Sequence, residues 1–216
     1  MDAEQRRAQR RDELLAAALQ LFADKGYMHV SIEEICQTAY VGTKSFYELF
    51  NGKEACYLAL YEKVATTLKA RMEDALRAVE GTGREGMERL VVAFARTLVG
   101  DPRVLKIAFG QASSISAAVD RNVRANRRWA ASFLDTAWRR YRVVDSCRHD
   151  GREVDVHAVA LGVIGGTFDL ITDWLHEHDS RRKEDVEVLI AKLVAFNRIT
   201  CDGLAAASVH QPAATA

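Results

Sequence analysis

Apolar residues recur along most of this chain at the three- and four-residue spacing of one helix face. Leu14, Leu15, Ala18, Leu19 and Phe22 form the first stripe and predict a helix from about Glu4 to Asp24. Gly26 is placed to stop it in the left-handed conformation. Ser31-Ile32-Glu33-Glu34 has the S-x-x-E spacing of a capping box, so a short second helix opens there, with Ile32, Ile35, Cys36 and Ala39 on its apolar side. A turn at Tyr40-Val41-Gly42 leads into a third helix, Thr43 to Phe50, that turns Phe46, Leu49 and Phe50 inward. Asn51-Gly52-Lys53-Glu54 repeats the capping logic, with Asn51 as cap of a long fourth helix ending near Glu80. Gly81 to Gly86 reads as a linker. Further helices are predicted over 87–99, 102–109, 115–142, 154–178 and 183–206, and Asp101-Pro102 is a strong start signal for the second of these. No strand-like alternation and no repeat interrupts the pattern, so the fold class is all-α. Ala207 to Ala216 reads as a frayed tail.

Two short helices joined by a tight turn and braced by a longer helix before them make a helix-turn-helix pattern over about residues 31–50. The pattern asks for a positioning helix that is apolar on one side, an apolar plug in the turn and a second helix with one buried face. Val41 supplies the plug. Thr43, Lys44, Ser45, Tyr47 and Glu48 are then left to face a groove. A plain helical hairpin satisfies the same periodicity and stands as the alternative.

Composition narrows the function. Apolar residues make up 49% of the 216 and charged residues 28%, a globular balance that excludes a disordered or fibrous chain. Lys+Arg and Asp+Glu number 30 each, which excludes coating of nucleic acid by bulk charge and leaves only a local patch. The first 55 residues carry 7 Lys/Arg against 9 Asp/Glu, so even that part is not basic overall. Only Pro102 and Pro212 break the helix-forming composition. The N-terminus is charged and lacks an apolar signal core, and no apolar run approaches the roughly 18 residues of a membrane span, so a cytoplasmic protein is expected. Cys36, Cys56, Cys147 and Cys201 are scattered and read as small buried residues in a reducing compartment.

Residues 11 to 56 resemble the DNA-binding domain of the TetR/AcrR family of bacterial transcriptional regulators. Leu14–Phe22 with Gly26-Tyr27, Ser31-Ile32-Glu33-Glu34-Ile35, Val41 to Phe50 and Lys53-Glu54-Ala55 carry the likeness. It implies a DNA-binding domain over 1–55, a helical ligand-binding and dimerisation domain over 56–207, and a tail over 208–216. The implied function is transcriptional regulation, as a repressor that leaves its operator on binding a small apolar or amphipathic effector. The implied partners are a second copy of the chain and a near-palindromic double-stranded DNA, with no cofactor and no membrane. Thr43 and Lys44, in the first turn of the recognition helix, are the base-reading candidates, Lys44 as a donor to guanine. Ser45, Tyr47 and Lys53 resemble phosphate contacts, and Ser31 joins them beyond its capping role. Arg6, Arg7, Arg10 and Arg11 either track phosphates or form a solvated helix end. The family usually has glycine where Tyr40 stands, and the Tyr40 phenol either reaches the DNA backbone or lies on the surface. Glu48 either accepts from a cytosine amino group or faces solvent. The alternative to the regulator reading is a helical small-molecule-binding or scaffold protein without specific DNA binding.

Eight arginines between 120 and 148 invite a second nucleic-acid surface. On a helical wheel Val119, Val123, Ala130, Phe133, Leu134, Ala137 and Tyr141 share one face, while Arg121, Arg124, Arg128, Arg139 and Arg142 point away, which reads as a solvated face. Arg127 and Arg140 sit at the boundary. Ala158, Gly162 and Gly166 recur every four residues, as close approach of another helix requires. With Leu189, Leu193 and Phe196 of the last helix they form the expected dimer interface, or else they serve packing within the chain. Phe94, Phe109, Trp129, Phe133, Trp138, Phe168 and Trp174 are candidates for an apolar ligand pocket or plain core. His157, His176 and His178 point to different faces, so no metal site is expected. Asp169, Asp173 and Glu177 read as a solvated stripe. No catalytic motif appears, so an enzyme is not expected.

Overall fold

The computed structural model describes residues 2–110, 115–144, 148–149, 152–180 and 182–209. The described chain is almost wholly helical: α1 (Ala3–Lys25), a 3-10 turn (Tyr27–His29), α2 (Ile32–Thr38), α3 (Thr43–Leu49), α4 (Lys53–Ala78), α5 (Gly83–Val99), α6 (Pro102–Phe109), α7 (Ala117–Arg140), α8 (Val156–Glu177) and α9 (Lys183–Val209). The expected absence of strands holds except for one short ladder, in which Arg148 pairs with Glu153 and His149 with Arg152. α9 runs past the expected end of the last helix, to Val209. The residues beyond it, with Cys147, lie outside the described residues.

The chain forms two compact units, residues 1–68 with 101–123 and residues 69–100 with 124–216. In the first, Asp2 caps α1 by accepting from the Gln5 backbone N–H at 2.7 Å, and the Gln5 side chain closes the box at 3.0 Å. The inward stripe of α1 buries Leu14, Leu15, Ala18 and Phe22 against Ile35 of α2, Phe46 of α3, Tyr57 and Leu60 of α4, and Val119 and Val123 of α7. Phe22, Tyr27 and Tyr57 form a ring cluster with centroids 5.3–5.6 Å apart. Gly26 ends α1 at φ +79, as its composition requires, but with an extended ψ of 157 in place of the left-handed helical value. The stop is completed from outside the helix: Lys106 of α6 donates to the Ala23 carbonyl at 3.0 Å, where the partial negative charge of the helix end favours a cation.

In the second unit α5 and α9 pack closely, with Met87 and Leu90 of α5 and Cys201 and Leu204 of α9 in one cluster with the buried Trp138 of α7 and Tyr141 just after it. Arg84–Asp202 at 3.1 Å and Arg198–Glu88 at 2.8 Å tie the two helices at the surface. Two corrections arise here. Gly81 to Gly86 is not a linker throughout, since α5 opens at Gly83. Gly86 is there because a Cβ would lie 2.4 Å from the Tyr141 ring. On α7 Val119, Val123 and Ala137 of the predicted face are buried, but Ala131 and Trp138 are buried too while Ala130 is half-buried: the register of the predicted face was off by one residue there. Arg121, Arg124, Arg128 and Arg139 are exposed, as the wheel predicts.

Contrary to the hydropathy reading of the sequence, α8 is long and apolar enough to cross a membrane by length and composition alone. Little of it is buried within the chain: Ala160, Ile171 and Trp174 go inside, while Ala158, Leu161 and Gly162 stay exposed.

Candidate nucleic-acid interface

Local sequence builds the helix-turn-helix in steps. Ser31 accepts from the Glu34 backbone N–H at 3.1 Å, and Glu34 accepts from the Ser31 N–H at 2.8 Å, so the capping box is complete. Lys25 donates to the same Glu34 carboxylate at 2.8 Å. That bond, then the Ser31 amide, holds the Glu34 carboxyl at a pKa of about 2. The turn backbone is pinned by Tyr40 N–H to Gln37 carbonyl at 3.2 Å and Val41 N–H to Cys36 carbonyl at 3.0 Å. Val41 is buried, as a plug must be. Tyr40 sits at φ +54, which explains why glycine would suit this turn.

The recognition helix α3 buries Phe46 completely and leaves Thr43, Lys44, Tyr47 and Glu48 exposed on one side. Its base is locked by α1. Arg10 donates to the Ser45 hydroxyl at 3.2 Å, Arg7 donates to the Glu48 carbonyl at 3.3 Å, and the Arg11 guanidinium lies 5.7 Å from the centre of the Phe50 ring. These three arginines stand at i, i+3 and i+4 on one face of α1, a spacing that points to a shared partner. Arg7, Arg10 and Arg11 are therefore braces for α3, and Ser45 and Arg10 already serve each other.

Lys53 departs furthest from expectation. Its ammonium donates to the Tyr27 carbonyl at 3.0 Å and the Val30 carbonyl at 2.8 Å and sits 4.4 Å from the Tyr27 ring centre. Two of its three donors are spent holding the link between α1 and α2 to α4. The α4 start also moves by one position: the helix begins at Lys53 with Gly52, at φ +95, before it, so Asn51 is not its cap. Thr43 reaches the Cys36 thiol, a bond that partly offsets the upward push of burial on that thiol.

Residues 14–60 match the family described as bacterial regulatory proteins, tetR family. That match takes in the helix-turn-helix and parts of the helices flanking it, a minority of the chain. The chain is 30% identical over 103 residues to the HTH-type transcriptional activator FasR of Mycolicibacterium smegmatis, covering 48% of this chain and 47% of that protein. It is 32% identical over 88 residues to the HTH-type transcriptional repressor NemR of Escherichia coli K12, covering 41% and 43%. The chain thus matches less than half the length of these curated relatives. The crystal structure of the regulator FadR from Bacillus subtilis in complex with stearoyl-CoA has the same fold at a TM-score of 0.64 and 18% identity, over 86% of this chain and 96% of that one. The curated relatives carry the names of transcriptional regulators.

The remaining candidates lie mainly in the second unit. Leu189 and Leu193 are buried within the chain, and Gly166 accommodates Phe196, whose Cζ lies 2.9 Å from where a Cβ would be. Gly166 and Phe196 thus bring α8 against α9, and the burial of Leu189 and Leu193 is complete or nearly so within one chain. Ala158 and Gly162 remain open, and nothing lies within 4 Å of a Cβ built on Gly162. Among the aromatic candidates Trp138 and Trp174 are wholly buried, and Trp174 donates to the Asp185 carbonyl at 2.9 Å. Trp129 and Phe133 stack at 5.4 Å under the Lys69 ammonium, and Phe168 lies 4.6 Å from the Arg127 guanidinium. Phe94 is half-buried, whereas Phe109 is buried and falls within the first unit.

Proposed function

We propose that this chain is a DNA-binding transcriptional regulator that acts as a homodimer. The observation that carries the reading is the exposed side of α3, where Thr43, Lys44 and Tyr47 project from a helix whose other side is buried and braced by three arginines. A helix fixed in this way loses little freedom on entering a major groove. Thr43 and Lys44 are assigned to base edges, Tyr47 and Ser31 to phosphates. The net charge of zero makes affinity depend on these few contacts and not on a broad basic field.

Dimerisation is supported by the outer faces of α8 and α9. Ala158, Leu161 and Gly162 on α8, and Val188, Ala191, Ala195 and Ile199 on α9, are exposed, with Ile199 73% accessible. A single chain gains nothing by exposing an apolar α8 of this length, whereas a second copy buries it. Two recognition helices then ask for a near-palindromic site with half-sites roughly 34–36 Å apart.

Repression relieved by a small apolar or amphipathic effector is our assignment for the regulatory sense. The FadR structure with stearoyl-CoA is the support for an amphipathic class. Such a molecule acts only by binding one conformation better than the other. The cytoplasm is the compartment this function implies. The test is selection of duplexes from a random library by the full chain, followed by a gel shift on the DNA upstream of its own gene. Recovery of a two-fold site bound by a dimer is the expected result. Failure to enrich any sequence leaves the helical small-molecule-binding protein without specific DNA binding.

A further inference from the structure

Tyr40 combines two features that give the isolated chain no return. Its backbone is left-handed, at φ +54, a conformation that strains any residue with a Cβ and that glycine adopts freely. Its side chain is 97% exposed, so the phenol ring gains nothing from burial. Among the described residues, no hydrogen bond or ring contact reaches that side chain. Yet the position is not loose. The two turn hydrogen bonds and the buried Val41 fix the backbone on both sides, and α3 starts three residues on. The turn therefore presents one large polar-tipped ring at a fixed point beside the recognition helix. Strain of this kind persists where the surrounding structure over-determines it, and it gathers at functional positions.

We propose that the Tyr40 hydroxyl donates a hydrogen bond to a backbone phosphate oxygen of the bound duplex, adding a fixed contact at the shoulder of α3. This rests on the DNA-binding reading above. A phosphate partner fits better than a base. Base edges are reached by the N-terminal residues of a recognition helix, and backbone contacts flank them. The phenol is a neutral donor, so its contact releases no counterion.

The experiment uses the full-length protein and a duplex that the wild type itself selects from a random library. Y40F removes only the hydroxyl of an exposed residue, and Y40G removes ring and strain together. Each should weaken binding by roughly tenfold, the low end for a bond to a charged group. The loss should be equal on the selected duplex and on its single-base variants, with an unchanged slope of log affinity against log salt. Y40G should melt no lower than wild type, which separates lost contact from lost fold, and Y40F decides alone if it does melt lower. Binding by Y40F within twofold of wild type overturns the proposal, whether or not Y40G is weaker. Failure of the wild type to select any duplex overturns the DNA-binding reading instead.

Discussion

Replacing Lys53 by alanine separates two roles that a lysine at the start of α4 can play. As a phosphate contact it would leave stability untouched and reduce the salt dependence of DNA binding. The structure gives it a different task, because its ammonium bridges the Tyr27 and Val30 carbonyls at 3.0 and 2.8 Å over the Tyr27 ring. Each bond from a charged donor contributes about 1.5–3 kcal/mol, and the half-exposed site argues for the low end. The ring contact adds about 0.5–1 kcal/mol. Ordering a lysine side chain costs about 1–2 kcal/mol. The net loss in Lys53→Ala is then about 1.5–3 kcal/mol, which in a chain of this length lowers Tm by about 3–12 °C. Lys53→Met keeps the stem over Tyr27 and should lose nearly as much, since the carbonyls dominate. Thermal melts followed by circular dichroism measure this, and titrations of a bound duplex at several salt concentrations measure the slope. The reasoning fails if Lys53→Ala melts with wild type and its salt slope drops by about one unit, the signature of one lost phosphate contact.

Further expectations follow the same geometry. Lys44→Ala should weaken binding to the selected site by about 1–3 kcal/mol and relax preference at one base pair, and equal losses on random DNA would make Lys44 a phosphate contact instead. Glu34→Gln should lower stability at neutral pH and flatten its acid dependence: the folded pKa of about 2 lies below the unfolded value near 4.5, so the contribution is complete above pH 4.5 and fades as pH falls toward 2. Urea titrations across that range give the comparison, and parallel curves for both proteins would count against it. Gly86→Ala should destabilise by about 1–3 kcal/mol because the new methyl meets the Tyr141 ring at 2.4 Å, as denaturant midpoints will report. Gly162→Ala and Gly166→Ala should part company: light scattering should find weaker association for the first, whereas the second should lower Tm through Phe196.

How much of this was legible in the residues depends on the range of the interaction. Elements set by short-range chemistry were readable: the Ser31–Glu34 box, the Asp101 cap with Pro102, and the 3.6-residue stripes all act within a turn or two. Exposed candidates on α3 were readable too, because Phe46 fixes which side goes in and the others follow by geometry. What periodicity does not carry is the partner of a long side chain. Lys53 meets carbonyls 23 and 26 residues earlier in the chain, and Arg10 meets Ser45 across 35 residues. A motif records that a cation stands at a position but not whether backbone or phosphate accepts from it.

The same limit governs the small-residue ridge of α8. Ala158, Gly162 and Gly166 share a spacing, and spacing alone treats them as one surface. An α-helix advances 100° per residue, so steps of four drift by about 40° each, and eight residues turn the ridge by about 80°. That drift is enough to carry Gly166 under Phe196 while Gly162 stays open. One ridge thus serves two neighbours in succession, first the outer apolar face and then α9. Leu189 and Leu193 of α9 are buried within the same chain, so the open surface continues instead through Leu161, Val188 and Ile199. An association surface in this chain is therefore to be sought on the residues its own packing leaves out, and the strongest apolar positions of α9 are excluded because the fold already uses them.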